Sequence, residues 1–207
     1  MIWFRPAGAD DPRLAEVAAA VLGGEIAIVP TETVYGLACL ADDPRAITKV
    51  FKAKGRTPDK PLIVAATEIA QARMLCSDWP EIAEKLATAF WPGPLTIVLP
   101  KAIAVPDLVT AGGNTVAVRI PNQTVLLRLI DLVGRPLTAT SANQSSQPSP
   151  LSAEEAVRQL GPTCAYVVDC GPTSVGKEST IVQIAGNTVA ILREGAIPLC
   201  EIELAAM

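Results

Sequence analysis

The sequence predicts a mixed α/β fold in one domain, and three observations lead to that prediction. The chain has 207 residues, of which 50% are hydrophobic and 18% are charged, a composition that supports one sizeable core. Short β-branched runs alternate with segments whose apolar residues recur at helical spacing. A hairpin pattern and several strands bounded by proline indicate a mixed sheet. We therefore expect a single domain over residues 1–207.

The first half of the chain is predicted to begin with a helix and a buried strand. Asp11-Pro12 supplies a cap and a first-turn proline, and Gly23-Gly24 ends the helix. The apolar run at 26–29 is typical of a buried strand. Asp43-Pro44 opens a second helix, which ends at Lys54-Gly55-Arg56.

The later elements continue the alternation of strands and helices. Strands are predicted at 62–64, 95–99, 115–120, 137–140 and 166–169, and in a hairpin around Gly186-Asn187. Helices are predicted near 67–75 and 80–90, after Pro121-Asn122, and from a capping box at Ser152 to about Leu160.

Composition and charge exclude several classes of protein. The net charge of -4 disfavours a general nucleic-acid binder. The chain has 5 cysteines without a CxxC pair, which fits a reduced compartment better than a disulfide framework. The N-terminus lacks the order of a signal peptide, and no apolar run approaches the ~20 residues of a membrane helix. We therefore expect a soluble, cytoplasmic protein without a membrane partner.

The absence of histidine restricts the chemistry. A Ser-His-Asp or Cys-His mechanism is excluded, and so is zinc held by imidazole. Any proton transfer must use carboxylates, Lys, Tyr, the substrate or water.

Two short polar stretches interrupt apolar sequence and are the first candidates for a site. Lys54-Gly55-Arg56 offers a point charge and a fork of donors suited to phosphate. Ser141-Ala142-Asn143 follows a predicted buried strand and could orient a sugar, a metal ion or a phosphate. The alternative is that the first stretch is a solvated helix end and the second an ordinary turn.

Two arginines lie at strand positions where a charge needs a partner. Arg119 lies in an otherwise apolar strand, and Arg193 ends the last strand. Each either forms an internal salt bridge or binds a substrate carboxylate.

Two further residues lie in the polar loop after the first strand. Glu32 could serve in acid–base chemistry, although an isolated loop glutamate is more often a cap or a solvated side chain. Tyr35 is expected to pack its ring and to hydrogen-bond its hydroxyl.

One segment nearly matches a phosphate-binding loop. Residues 171–177 fit G-x-x-x-x-G-K, but Glu178 stands where Ser or Thr should reach magnesium. The following STIV run favours a strand over the helix that would hold phosphate. We therefore predict that the segment is not a P-loop.

Taken together, these stretches resemble the threonylcarbamoyl-AMP synthase family, which has the YrdC-like fold. The matching segments, which run in the family's order, are PTETVYGL (30–37), KAKGR to KPL (52–62), FWPGPLTIVL (90–99), TVAVRIP (115–121), TSAN (140–143), STIV (179–182) and LREGAI (192–197). The resemblance implies a twisted sheet with flanking helices and a positively lined concave cleft. It also implies synthesis of threonylcarbamoyl-AMP and pyrophosphate from L-threonine, bicarbonate and ATP, with Mg²⁺ accompanying ATP.

The resemblance also assigns roles to residues of this chain. It places Lys54, Arg56, Ser141 and Asn143 in the catalytic set. The implied ATP site comprises Lys54, Arg56, Lys60, Thr115, Ser141, Asn143 and Arg193. The implied threonine site comprises Thr33, Arg119 and Ser179. By this resemblance Arg119 pairs with the threonine carboxylate, and we expect water to solvate its guanidinium in an open cleft when threonine is absent. A partner system, the tRNA threonylcarbamoyl transferase machinery, is then expected to modify an adenosine of tRNA, and a weak direct contact with RNA stays open.

The sequence departs from the family pattern at two positions. Ala65 stands where many relatives carry His near the threonine, and Thr57 stands where relatives often carry Pro. The chain ends at Met207, so it resembles the short single-domain form. Two alternatives remain: a YrdC-like paralogue that binds RNA or nucleotide without synthase activity, and a carbamoyl-handling module like the homologous segment of hydrogenase-maturation proteins.

Overall fold

The structure, a computed structural model, describes residues 1–186 and 188–207. Its strands are β1 (Ile2–Phe4), β2 (Ala27–Val29), β3 (Gly36–Ala38), β4 (Ile63–Ala65), β5 (Leu95–Pro100), β6 (Thr115–Arg119), β7 (Leu137–Thr138), β8 (Thr140–Ser141), β9 (Tyr166–Val168), β10 (Thr180–Ala185) and β11 (Thr188–Arg193). Its α-helices are α1 (Arg13–Leu22), α2 (Pro44–Lys54), α3 (Ile69–Met74), α4 (Glu81–Phe90), α5 (Thr124–Val133), α6 (Ala153–Leu160) and α7 (Leu199–Ala206). The predicted mixed α/β class is confirmed.

The strands form two sheets, where the sequence predicted one. One sheet has five strands in the order β1-β9-β2-β3-β8, and the other has six in the order β11-β10-β5-β6-β4-β7. Both contain parallel and antiparallel pairs. The predicted strand at 137–140 is divided, because β7 pairs with β4 whereas β8 pairs with β3. The chain therefore changes sheets at Ala139.

Most helix boundaries follow the predicted caps. The Asp43 side chain accepts a hydrogen bond from the Arg45 amide (2.9 Å), and Gly55 ends α2 with a φ of 55°. Ser152 accepts from the Glu155 amide at the start of α6. The first helix begins at Arg13, after Pro12 instead of at it, although the Asp11 carboxylate still accepts from the Arg13 amide (3.0 Å).

The C-terminal hairpin is present, but part of its turn lies outside the described residues. Strands β10 and β11 pair antiparallel from Ala185 with Thr188 to Ile181 with Arg193. Asn187, predicted as a turn residue, is not among the residues that the structure describes. Three elements were not predicted from the sequence: β1, β3 and α7.

The buried apolar residues form two clusters. The larger one contains side chains from both sheets, including Ile28 of β2 and Ile97 of β5. The smaller one contains α1 and α5, which pack against the five-stranded sheet through residues such as Val17 and Leu129. The extent of one domain over 1–207 stays a prediction. Within the described part of the chain, none of the helices has the length and apolarity that crossing a membrane requires.

Candidate functional site

A polar cavity of about 130 Å³ lies where loops and strand ends of the two sheets meet. Six of the ten residues predicted from the sequence line it: Thr33, Arg56, Arg119, Ser141, Ser179 and Arg193. They come from the loop between β2 and β3, the segment after α2, and the ends of β6, β8, β10 and β11. The fold thus brings together three guanidinium groups that are far apart in the sequence.

Arg119 is held from three directions and is only 7% exposed. Its Nε donates to the Gly93 carbonyl (3.0 Å), and its Nη1 donates to Thr33 Oγ1 (2.9 Å). Its Nη2 lies 2.7 Å from Glu32 Oε1. Burial lowers the pKa of Arg119, and the Glu32 carboxylate opposes that shift. An internal ion pair, which was the alternative to the expected role of Arg119, is therefore present, and the expectation that water solvates this guanidinium is wrong because protein atoms surround it.

The isolated position of Glu32 in a loop suggested a cap or a solvated side chain. The structure shows neither. Glu32 is 5% exposed and ion-paired with Arg119. Apart from this contact with Arg119, neither Glu32 oxygen has a polar partner among the described residues. The loop is fixed by backbone bonds, including one from the Val175 amide to the Glu32 carbonyl (2.8 Å). Sequence reasoning missed Glu32 as Arg119's partner; its position directly after a buried strand was the available signal.

Arg56 differs from Arg119 in having no ion-pair partner among the described residues. Its Nη2 donates to the Pro61 carbonyl (2.9 Å), and its Nη1 lies 3.5 Å from Thr140 Oγ1. Its Nε is buried and has no partner among the described residues. Burial lowers the pKa of Arg56, and the exposed Asp59 opposes this shift. A buried donor without a partner is costly, so an anion bound here would satisfy it.

Arg193 holds the backbone of Ser179. Its Nε and Nη2 donate to the Ser179 carbonyl (3.1 and 2.9 Å), and its Nη1 lies 2.7 Å from Glu178 Oε2. Ser179 Oγ is 2.8 Å from Thr96 Oγ1. Burial lowers the pKa of Arg193, and Glu178 opposes this shift. Glu178, which also lines the cavity, is a further site residue that the sequence did not indicate.

Lys54 is buried, so the interpretation of its stretch as a solvated helix end is wrong for this residue. The residue is 2% exposed. Its ammonium group donates to the Asn143 carbonyl (2.8 Å), to Asn143 Oδ1 (3.0 Å) and to the Ser141 carbonyl. Burial lowers the pKa of Lys54 to about 7. Asn143 Oδ1 also accepts from Ser141 Oγ (2.5 Å). Lys54 and Asn143 therefore hold Ser141 in place. Of these three residues, Ser141 lines the cavity.

Besides Lys54 and Asn143, two predicted residues do not line the cavity. Lys60 is exposed in the segment between α2 and β4. Thr115 lies on the same face of β6 as Arg119, roughly 13 Å along the strand at the usual rise per residue. Ala65, at the position where the resemblance expects His, is buried beside Arg119 in the register of β4 and β6.

The near-match to a P-loop does not form a phosphate-binding turn. The segment 171–177 runs into β10 and not into a helix, which confirms the prediction. Lys177 is exposed. The predicted role of Tyr35 is also confirmed, because its ring is fully buried and its hydroxyl donates to the Gly171 carbonyl (2.7 Å).

The side chains around the cavity do not form a metal site of their own. No group of three or more Asp, Glu, Cys or His residues within 1–186 and 188–207 could hold a metal ion. The two carboxylates near the cavity, Glu32 and Glu178, are paired with arginines.

Comparisons with known proteins agree with this arrangement. The model of the Sua5/YciO/YrdC family, described as telomere recombination, matches residues 19–195. The chain is 45% identical over 180 residues to a threonylcarbamoyl-AMP synthase of Pyrococcus abyssi, covering 87% of this chain and 53% of that protein. It is 44% identical over 195 residues to the protein of the same name from Bacillus subtilis, covering 94% of this chain and 56% of that protein.

A solved structure gives the same picture at the level of the fold. The crystal structure of P. abyssi Sua5 complexed with L-threonine superposes with a TM-score of 0.94 at 41% identity, covering 99% of this chain and 60% of that one. The chain thus spans about half the length of the curated relatives that it matches.

Proposed function

Since the chain belongs to the Sua5/YciO/YrdC family, we propose that it is a threonylcarbamoyl-AMP synthase. It joins L-threonine, bicarbonate and ATP into threonylcarbamoyl-AMP and releases pyrophosphate. The observation that supports this most directly is the convergence of Arg56, Arg119 and Arg193 on one cavity, with a buried Arg56 donor that lacks a partner. Three guanidinium groups suit a reaction that assembles a carboxylate, a carbamate and a triphosphate.

The proposed chemistry needs no histidine. The threonine ammonium group first loses a proton to water, and the resulting amine and bicarbonate form a carbamate with loss of water. A carbamate oxygen then forms a bond to the α-phosphorus of ATP, the bond from that phosphorus to the bridging oxygen breaks, and pyrophosphate leaves. Because the nucleophile is already an anion, the protein has to orient two anions and to offset their charge.

The positions of the residues suggest how they share this work. Arg119 and Thr33 bind the threonine carboxylate at one end of the cavity. Arg56 and Ser141 contact phosphate at the other, while Lys54 and Asn143 hold Ser141. Arg193 stays assigned to the nucleotide on the family pattern, and its hydrogen bonds to Ser179 also fix that residue at the threonine end. Lys60 and Thr115 remain assigned to the nucleotide on the family pattern, and Mg²⁺ arrives with ATP.

The wider setting is also part of the proposal. The product passes to the tRNA threonylcarbamoyl transferase machinery for N6-threonylcarbamoyladenosine formation, and the net charge of -4 disfavours a strong direct contact with RNA. Cytoplasmic location is supported by cysteines that form no disulfide among the described residues.

Pyrophosphate release tests the proposed function. With ATP, L-threonine and bicarbonate all present, we expect release above background, and omission of either threonine or bicarbonate should abolish it. Arg128→Lys, on the exposed face of α5, serves as a matched control that keeps full activity. Equal release without threonine would contradict the proposal. Tight ATP binding without any release would favour the paralogue that binds nucleotide without synthase activity.

A further inference from the structure

Three arginines in one cavity do not by themselves decide which anion binds where. A guanidinium group presents the same fork of donors to a carboxylate and to a phosphate. A substrate carboxylate and a triphosphate could therefore exchange places between Arg56 and Arg119. Some other feature of the cavity must distinguish its two ends.

The arginines differ in their acidic partners. Arg119 Nη2 lies 2.7 Å from Glu32 Oε1, and Arg193 Nη1 lies 2.7 Å from Glu178 Oε2. Among the described residues, no ion pair includes Arg56, whose nearest acidic influence is the exposed Asp59. At one end of the cavity, the charges of Arg119 and Glu32 cancel each other. At the other end, Arg56 carries an uncompensated positive charge.

Orientation alone does not explain why a carboxylate lies beside Arg119. The Gly93 carbonyl and Thr33 Oγ1 already fix two nitrogens of the guanidinium with well-formed hydrogen bonds. Glu32 Oε1 lies 2.7 Å from the remaining nitrogen, Nη2, so it adds one contact to a group whose orientation is already fixed. What Glu32 contributes is therefore its charge.

That charge acts with little screening. Glu32 is 5% exposed and Arg119 is 7% exposed, so water and salt ions reach the pair poorly. A multiply charged phosphate at Arg119 would be repelled by the Glu32 carboxylate, which offsets the attraction of the guanidinium. A zwitterionic amino acid carries its own ammonium group, so its net charge is zero and the repulsion is largely cancelled.

We propose that Glu32 is a specificity-determining residue that neutralises Arg119 and so keeps phosphate groups at the Arg56 end of the cavity. This inference rests on the proposed function for the identity of the two ligands. Selection operates by making the wrong anion unfavourable at the amino-acid end, whereas Arg56 attracts phosphate without opposition.

Inorganic phosphate is the probe that tests this charge effect. Arg56→Ala should lose measurable phosphate binding in a calorimetric titration, because the unpaired cation is gone. Adding Glu32→Gln should restore binding, because Arg119 then carries an uncompensated charge. We expect phosphate to bind the double variant at least fivefold more tightly than Arg56→Ala alone, and any smaller gain would overturn the proposal.

A matched control separates local from overall charge. Arg56→Ala with Glu201→Gln removes the same negative charge from the exposed face of α7, outside the cavity, and should bind phosphate as weakly as Arg56→Ala. An equal gain in this control would also overturn the proposal, since it would show that net charge alone is responsible. A purely structural role for Glu32 predicts weaker binding of every ligand instead of new phosphate binding.

The native protein provides a second measurement if the Glu32→Gln variants do not fold. Saturating phosphate should raise the apparent Kd for L-threonine less than twofold, because the two anions occupy different ends. Direct competition, with the Kd rising in proportion to phosphate, would overturn the proposal. If the native protein bound no threonine, the proposed function would fail, and the phosphate titrations of the variants would still decide the role of Glu32.

Discussion

The Nζ atom of Lys54 lies 3.0 Å from Oδ1 of Asn143, although 89 residues separate them in the sequence. This contact fastens the end of α2 to the loop after β8, and the same ammonium holds the Ser141 and Asn143 carbonyls. Two polar stretches that looked like independent phosphate contacts are thus parts of one structure. Arg56 and Ser141 face the cavity, while Lys54 and Asn143 support them.

Lys54 should make the stability of the protein depend on pH. Its pKa is lowered to about 7 in the folded protein from 10.5 in a free side chain, so above pH 7 the folded state releases a proton that the unfolded chain retains. The free energy of unfolding should therefore rise with pH in this range, by at most about 1.4 kcal/mol per pH unit. Below pH 7 both states hold the proton, and the contribution is flat.

Urea unfolding of the native protein and of Lys54→Met measures this effect between about pH 6 and about pH 8.5. Both proteins contain the same 5 cysteines, so the titration of these thiols cancels in the comparison. The difference in stability between the two should grow with pH. Lys52→Met, exposed on the same helix, should show no such trend. A difference that does not change with pH would rule out a titrating Lys54.

Arg119→Lys should lower both threonine affinity and stability. Lysine keeps the charge beside Glu32 but loses the two-pronged geometry and the bonds to Gly93 and Thr33. We expect a loss of roughly 1–3 kcal/mol in the free energy of unfolding, because buried acceptors lose their donors. Threonine affinity should fall by about tenfold or more, which is about 1.4 kcal/mol.

The two measurements on Arg119→Lys distinguish its roles. Melting temperature reports the internal ion pair, and calorimetric titration reports threonine binding. ATP affinity measured without threonine should change little. A large thermal loss combined with unchanged threonine affinity would mean that Arg119 is structural only.

Arg56→Ala should weaken ATP binding, whereas Lys177→Ala should not. Arg56 lines the cavity with a buried donor that lacks a partner, and a hydrogen bond to a charged group contributes about 1.5–3 kcal/mol. We expect roughly 10–100-fold weaker binding, as measured by calorimetry. Lys177 is exposed in a loop that leads into a strand. Loss of ATP binding in Lys177→Ala alone would reinstate a P-loop.

Tyr35→Phe should destabilise the protein without reducing ATP affinity. The Tyr35 hydroxyl donates to the Gly171 carbonyl (2.7 Å) and accepts from the Cys170 amide (3.0 Å). Removing it leaves two groups unpaired, at a cost of about 1–3 kcal/mol in the free energy of unfolding. Tyr166→Phe, whose hydroxyl makes no hydrogen bond within the described residues, should change stability by less than about 0.5 kcal/mol. Equal effects in thermal unfolding would argue against a structural role specific to Tyr35.

Local patterns in the sequence were sufficient for most helices and strands. The cap at Asp43 and the left-handed Gly55 bound α2 as predicted, because capping depends on residues within one turn of the helix end. The unpredicted elements carry weaker local signals. β1 has only three residues, two of them exposed, and α7 places few residues in the core.

The sequence by itself determined the mixed α/β class and, through the family pattern, six residues that line one cavity. Only the tertiary structure decided that the chain changes sheets at Ala139, that Glu32 neutralises Arg119, and that Lys54 supports Ser141. The two kinds of information differ in the separation along the chain over which each effect acts. Periodicity and capping act between residues a few positions apart, whereas charge pairing and burial depend on which distant segments pack together.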